Sequence, residues 1–132
     1  WSSDVCSSDL RRADGSLARH PGVIHCFTGT RGFGEACLDL GFSISFSGIM
    51  TFKTAEDLRD CARAFPLDRL LVETDSPFLA PVPMRGKKCE PSMVRHTAMK
   101  LAEVKGIPFP EVARATTLNS AALFKLEALV PA

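Results

Sequence analysis

The sequence predicts an α/β fold in which short buried strands alternate with helices. The run from Leu70 to Val72 is branched and apolar at every position, which is typical of a strand covered by helices on both faces. A second short apolar run follows Gly22, and a third begins at Phe42. The segments between these runs carry apolar residues three and four positions apart, the spacing of an amphipathic helix. This alternation indicates β/α repeats and therefore a parallel sheet.

The first half of the pattern contains two strands and one helix. The run 22–29 is the first predicted strand, and a helix follows from Gly32 to Leu40, ended by Gly41. The next strand alternates large apolar residues with Ser43, Ser45 and Ser47. In a barrel these serines would face the crowded interior, but a half-exposed strand has the same pattern.

The second half continues the alternation with three further helices. Thr54 is the predicted N-cap of a helix that stops before Pro66, with Asp57 at the third helical position. Another helix is predicted from Pro91 to Val104, closed by Gly106. The last helical region, 110–124, is predicted to break near Thr116 and Thr117, where Asn119 would cap a second piece.

Two carboxylates follow the strand that begins at Leu70. Glu73 and Asp75 are two positions apart and therefore point to the same side of an extended chain, and Pro77 stops further pairing. In β/α barrels, catalytic groups lie at the C-terminal ends of the strands. Two neighbouring carboxylates repel each other unless a cation or protons compensate their charge.

His25 lies in the first apolar run and favours a cation over protons. Neutral imidazole is a common ligand of divalent metals, and carboxylates accompany it in hydrolytic sites. A histidine in an apolar strand is more often a hydrogen-bonded core residue, and an acid at a strand end is more often part of a turn. When His25 and Asp75 are considered together, a shared metal site and purely structural roles for both residues are about equally favoured.

Composition restricts the class of protein. The 132 residues carry a net charge of +1, with 45% hydrophobic and 23% charged residues, which suits one soluble domain. No apolar run is long enough to span a bilayer, and no secretion signal is visible, so we expect a cytoplasmic protein without membrane contact. The five cysteines are odd in number and lack a Cys-x-x-Cys pair, which favours reduced thiols over disulfides or structural zinc.

One basic cluster follows the two carboxylates. Arg85, Lys87 and Lys88 lie in a loop rich in proline and glycine. Such a loop beside a strand end is well placed to contact a phosphate backbone without reading its sequence. By charge alone, the cluster is more often an ordinary solvated loop.

Four segments in order resemble the TatD family of metal-dependent deoxyribonucleases, from about Arg19 to about Leu126. They are His25-Cys26-Phe27-Thr28-Gly29, Ile44-Ser45-Phe46-Ser47-Gly48, Glu73-Thr74-Asp75-Ser76-Pro77, and Arg85-Gly86-Lys87 leading to Glu90-Pro91. The resemblance implies a metal-dependent phosphodiesterase on a TIM-like barrel of the amidohydrolase type. Cys89 departs from the asparagine that the family pattern has there.

The resemblance also implies roles for individual residues. His25 and Asp75 would bind a metal, Asp75 would also take the proton of the attacking water, and Glu73 would be a further ligand or would orient one. One or two divalent ions are implied, with Mg, Mn and Zn equally compatible. Arg85 and Lys87 would hold the phosphates of a DNA substrate.

The family's early metal ligands are not present in this sequence. Family members are about twice as long and supply a His-x-His pair, whereas the histidines here are His20, His25 and His96. We therefore expect residues 19–126 to form the last three strands of a barrel and their helices, with the missing N-terminal half as a partner. Residues 1–18 are expected to be a non-native or disordered leader, and residues 127–132 a tail.

A partial barrel leads to two expectations and two alternatives. The chain should have weak or absent nuclease activity alone, and its open sheet edges should make it marginally stable, dimeric or prone to aggregation. The alternatives are a non-catalytic β/α module that binds a partner and an amidohydrolase acting on a small cyclic amide. The latter gives no reason for the basic loop.

Overall fold

The computed structural model describes residues 21–126 and residue 128. The predicted leader, 1–18, lies outside the described residues, as does the predicted tail apart from Ala128. The described part contains three strands and four helices in the alternating order that the sequence predicts.

Three parallel strands form one sheet in the order β1, β2, β3. Their bounds are β1 Val23–Ile24, β2 Ser43–Phe46 and β3 Leu70–Val72. The helices are α1 Arg31–Asp39, α2 Glu56–Ala64, α3 Val94–Lys105 and α4 Phe109–Phe124. Short 3-10 helices span Gly48–Thr51, Leu67–Arg69 and Pro91–Met93. Ile44 is in register with Ile24 on one side and with Leu70 on the other, so β2 is the central strand.

The first strand is shorter than predicted. It ends at Ile24, and Cys26 adopts a left-handed conformation with φ of 46°. This turn of the chain interrupts the strand directly after His25. The amide of Phe27 nevertheless donates to the Ser45 carbonyl at 2.9 Å, so the chain still follows β2 beyond the interruption.

The core lies between the sheet and the helices. Ile44, Phe46 and Leu70 are fully buried there. The rings of Phe27 and Phe65 meet edge to face with centroids 5.6 Å apart, a favoured aromatic geometry. β2 is buried at every position, Ser43 and Ser45 included. The alternative of a half-exposed strand is therefore wrong, and the alternation reflects two covered faces.

The predicted cap of α2 is wrong. The N-cap is Ala55, which has no capping side chain, and the helix begins at Glu56. The chain enters α2 through a turn in which the Ala55 amide donates to the Phe52 carbonyl at 3.1 Å. Arg59 holds the same segment through its guanidinium, which donates to the carbonyls of Met50 and Phe52 at 2.9 and 2.7 Å. An arginine inside the helix thus fixes the start that Thr54 was predicted to fix.

The predicted break in the last helix is also wrong. α4 continues through Thr116 and Thr117 to Phe124. The buried Thr116 hydroxyl donates to the Val112 carbonyl at 2.9 Å, which satisfies it within the helix. Asn119 does not cap a helix, because its amide nitrogen donates to the carbonyls of Leu67 and Leu70 at 2.9 and 2.8 Å.

Two expectations from composition can be compared with the structure. Cys26, Cys37, Cys61 and Cys89 are all free thiols. Within the described residues, no helix has the length and apolar character needed to cross a membrane.

Candidate metal centre

The C-terminal ends of the three strands meet at one edge of the sheet. His25 follows β1, Ser47 follows β2, and Glu73 follows β3. The amide of Glu73 donates to the Phe46 carbonyl at 3.0 Å, so the parallel ladder continues for one step beyond β3. Because the strands are parallel and adjacent, side chains distant in sequence meet here.

The structure brings His25, Glu73 and Asp75 together. One donor atom from each lies within 4.8 Å of the others, and His25 Nδ1 is 3.4 Å from Glu73 Oε1. Ligands of one divalent ion lie about 2.0–2.2 Å from the metal, so two of them are about 3 to 4.4 Å apart, close to the separations found here. One imidazole nitrogen and two carboxylates are a donor set that a hydrolytic metal accepts. The three residues therefore fit a divalent cation.

The cluster is open to solvent on its histidine side. The His25 side chain is 61% exposed, whereas that of Glu73 is 23% exposed. Glu73 Oε1 also accepts the Cys26 amide at 2.8 Å, so this carboxylate is anchored to the backbone that carries the histidine. A carboxylate beside a ring nitrogen is also the arrangement that fixes the orientation of a metal-binding imidazole. Glu73 is thus placed either to bind an ion or to orient His25.

Cys26 is a part of this site that sequence reasoning missed. Its Sγ donates to Asp75 Oδ2 at 3.3 Å and lies 3.3 Å from Ser47 Oγ. Burial raises the pKa of the Cys26 thiol above 9.0; the hydrogen bond to Asp75 and the charges of Asp75 and Glu73 raise it further, while Ser47 acts in the opposite direction. Near neutral pH the group is therefore an uncharged S–H donor. Its position next to His25 was the one available signal in the sequence.

The loop after Asp75 is tied back to the sheet. The Phe78 amide donates to the Asp75 carbonyl at 2.7 Å, which makes a tight turn directly after the acid. Further along, the Val82 amide donates to Thr51 Oγ1 at 2.8 Å, and that hydroxyl donates to the Gly48 carbonyl at 2.6 Å. Thr51 therefore links the loop to the segment that follows β2.

Arg85 and Lys87 lie further along the same loop, and both are exposed. The Arg85 guanidinium is 3.9 Å from the centroid of the Phe52 ring, a cation–π contact. Within the described residues, neither cation forms an ion pair with Glu73 or Asp75. Cys89 is buried at the end of the loop, where its Sγ accepts from Ser76 Oγ at 3.7 Å. The structure thus presents the two cations to solvent, outside the acidic cluster.

A groove of about 980 Å³ lies between the loop after β1 and helix α2. Thr28, Phe52, Asp57 and Arg63 are among its lining residues. His25, Glu73 and Asp75 do not line it, so the groove and the cluster are separate features.

Comparison with known families identifies the fold and the family. The sequence profile of the family described as TatD related DNase matches residues 6–125. The chain belongs to the TatD family. The resemblance predicted from the four segments is therefore confirmed.

Relatives in the TatD family are named as metal-dependent hydrolases. The uncharacterized metal-dependent hydrolase YcfH of Escherichia coli K12 is 60% identical over 107 residues, which are 81% of this chain and 40% of YcfH. YabD of Bacillus subtilis, with the same description, is 45% identical over 105 residues, 80% of this chain and 41% of YabD. The chain thus spans about 40% of the length of these relatives.

Solved structures confirm the fold. The crystal structure of YJJV, a TatD homologue from Escherichia coli K12, matches with a TM-score of 0.74 and 32% identity, covering 83% of this chain and 41% of YJJV. An uncharacterized amidohydrolase from Saccharomyces cerevisiae matches with a TM-score of 0.66 at 18% identity, covering 76% and 39% of the two chains, which supports the fold alone. The TatD chain is therefore a partial β/α barrel of the amidohydrolase type, as predicted.

Proposed function

We propose that this TatD chain is the C-terminal part of a metal-dependent phosphodiester hydrolase that acts on DNA in the cytoplasm. The observation that carries the proposal is the convergence of His25, Glu73 and Asp75 at the strand ends of the partial barrel. The names of the relatives support the metal dependence and the hydrolysis. The free thiols agree with a reducing compartment.

In the proposed reaction, His25, Glu73 and Asp75 have different roles. A divalent ion held by His25, Asp75 and Glu73 would polarise a phosphoryl oxygen and lower the pKa of a bound water. Asp75 takes the proton of the attacking water as general base. Glu73, whose Oε1 lies 3.4 Å from His25 Nδ1, is a further ligand or orients His25.

The basic loop supports a polyanionic substrate. The net charge of the chain is only +1, so attraction to DNA must be local. Residues 76–88 include Arg85, Lys87 and Lys88 and no acid. These exposed cations suit contacts with phosphates that are independent of base sequence. An amidohydrolase acting on a small cyclic amide would have no use for them.

The proposed enzyme is complete only with the rest of the barrel. Catalytic metal sites usually have at least three protein ligands and an open position, and the present three donors include an exposed histidine. We expect the chain alone to have weak or absent activity. The missing N-terminal half would close the barrel and complete the metal site.

The test is complementation with a separately produced N-terminal segment of YcfH that ends where its match to this chain begins. The mixture should gain Mg²⁺- or Mn²⁺-dependent cleavage of a fluorescent DNA, and Asp75→Asn should reduce this at least about 100-fold. Asp68→Asn, an exposed acid in the 3-10 helix before β3, is the matched control and should have no effect.

Three outcomes would contradict the proposal. Cleavage that survives Asp75→Asn would remove Asp75 from the chemistry. Hydrolysis of cyclic amides without cleavage of DNA would favour the amidohydrolase alternative, and restored folding without either activity would favour the non-catalytic module.

A further inference from the structure

We propose that Cys26 is a positioning residue for the metal centre, whose thiol and backbone amide together hold Asp75 and Glu73 in the orientation that receives the cation. The proposal builds on the metal site of the proposed function but not on the identity of the substrate. Cys26 itself is not assigned as a ligand.

The first argument is the pair of contacts that one residue makes. The Cys26 amide donates to Glu73 Oε1 at 2.8 Å, and its Sγ donates to Asp75 Oδ2 at 3.3 Å. Both acids of the cluster are therefore fixed by the residue next to its histidine. A carboxylate has about four acceptor positions, so one hydrogen bond to each leaves room for a cation.

The second argument is the backbone conformation. Cys26 has φ of 46°, in the left-handed region that residues with a side chain rarely adopt. Such a conformation is unfavourable for a residue with a side chain and persists where surrounding contacts enforce it. In Cys26, this conformation occurs together with the contact of the amide with Glu73 and of the thiol with Asp75.

The third argument is the position of the thiol between strands. Cys26 Sγ lies 3.3 Å from Ser47 Oγ, so a side chain that follows β1 contacts groups that follow β2 and β3. Ser47 is itself buried, and its Oγ accepts the Ile49 amide at 3.5 Å. The thiol is thus supported from β2 while it donates towards Asp75.

The first test is infrared spectroscopy of the S–H stretch in the full 132-residue chain without metal. The Cys26 band is identified by its loss in Cys26→Ala. Because a donated hydrogen bond lowers the S–H frequency, Asp75→Ala should move this band to higher frequency, whereas Asp68→Ala should leave it unchanged. A Cys26 band that does not respond to Asp75→Ala would overturn the proposal.

The second test is binding of Mn²⁺, followed by the electron paramagnetic resonance signal of the free ion. Loss of a group that orients a metal ligand typically weakens metal affinity about 10- to 100-fold. We expect at least about a tenfold weaker affinity in Cys26→Ala and recovery to within about threefold of the wild type in Cys26→Ser, whose hydroxyl also donates.

Controls separate this role from folding and from the substrate. Cys37→Ala removes a buried thiol of α1 and should leave Mn²⁺ affinity unchanged. Equal Mn²⁺ affinity of Cys26→Ala and the wild type would overturn the proposal. Neither measurement involves hydrolysis, so a complemented protein that fails to cut DNA would refute the nuclease without affecting this result.

Discussion

At the scale of single residues, Gly32 and Gly34 differ in the space that an added side chain would find. Both lie in α1. A Cβ at Gly34 would lie 2.2 Å from the Phe65 ring, which is 1% exposed and packed against Phe27. A Cβ at Gly32 would meet nothing within 4 Å.

We therefore expect Gly34→Ala and Gly32→Ala to change stability in opposite directions. Overpacking at Gly34 should lower the free energy of unfolding by about 1–3 kcal/mol, because Phe65 has no space to move into. Gly32→Ala should raise it by up to about 1 kcal/mol through helix propensity. Urea unfolding followed by circular dichroism measures both. A Gly34→Ala protein as stable as the wild type would contradict the packing described for Phe65.

The buried thiols of Cys37 and Cys61 lead us to predict a loss of stability at alkaline pH. Burial raises the pKa of each thiol above 9.0. The pKa of each thiol is higher in the folded protein than in the unfolded chain. The contribution of the protonated thiols to stability is therefore complete below the pKa in the unfolded chain. It is lost as the pH rises through the pKa in the folded protein. The free energy of unfolding should thus fall as the pH rises above about 8.5, the ordinary pKa of a cysteine in an unfolded chain.

The double variant Cys37→Ala/Cys61→Ala tests this origin. Its stability at pH 8 is expected to be lower, because two buried side chains are truncated, but its further loss towards pH 10 should be smaller than in the wild type. Urea titrations under reducing conditions give both slopes. Equal slopes would mean that other groups cause the alkaline loss.

The convergence of His25, Glu73 and Asp75 could be predicted from sequence because these residues lie in or directly after apolar runs, which indicate strands and therefore a shared edge. Cys26 could not, because its role depends on a left-handed φ and on contacts with residues 47 and 49 positions away. Local patterns do not contain either kind of information. Arg85 and Lys87 were predicted as phosphate contacts, and their exposed positions leave that prediction to experiment.

At the scale of elements, one side chain of α4 forms hydrogen bonds with the main chain at the start of β3. Asn119 donates to the carbonyls of Leu67 and Leu70, which flank the start of β3. Asn119→Ala should lower the free energy of unfolding by about 1–3 kcal/mol, because partly buried carbonyls lose their donor. Thr117→Ala, at an exposed position of the same helix, should cause no loss. Chemical denaturation measures the free energy of unfolding of both variants. If Asn119→Ala were as stable as the wild type, water would replace the asparagine as the donor to these carbonyls.

The ends of helices were predictable from sequence where a glycine with a positive φ follows the helix. Gly41 and Gly106 have φ of 94° and 67°, and each follows a helix that ends where predicted within one or two residues. The start of α2 was not predictable, since Arg59 and backbone carbonyls fix it in place of Thr54. The continuity of α4 through two β-branched residues likewise depends on packing of Thr116 in the interior.

At the scale of the whole molecule, the three-stranded sheet has two open edges among the described residues, at β1 and β3. Unpaired strand edges promote association. We expect the isolated chain to melt at low temperature or to form dimers and aggregates, as measured by light scattering during size-exclusion chromatography and by thermal unfolding. Addition of the complementary N-terminal segment should yield a single species of defined mass. A cooperative melt of a monomeric isolated chain would contradict this expectation.

The absence of a side chain at Gly48 has a consequence for the loop that leads to Arg85 and Lys87. A Cβ there would lie 2.5 Å from the Leu79 carbonyl oxygen, so two stretches of main chain are in direct contact. Together with the hydrogen bond from the Val82 amide to the Thr51 hydroxyl, this contact ties residues 79–82 of the loop to the segment that follows β2. If Arg85 and Lys87 hold a polyanion, as proposed above, it would meet a loop whose base is fixed, so we expect flexible strands to bind more readily than stiff ones.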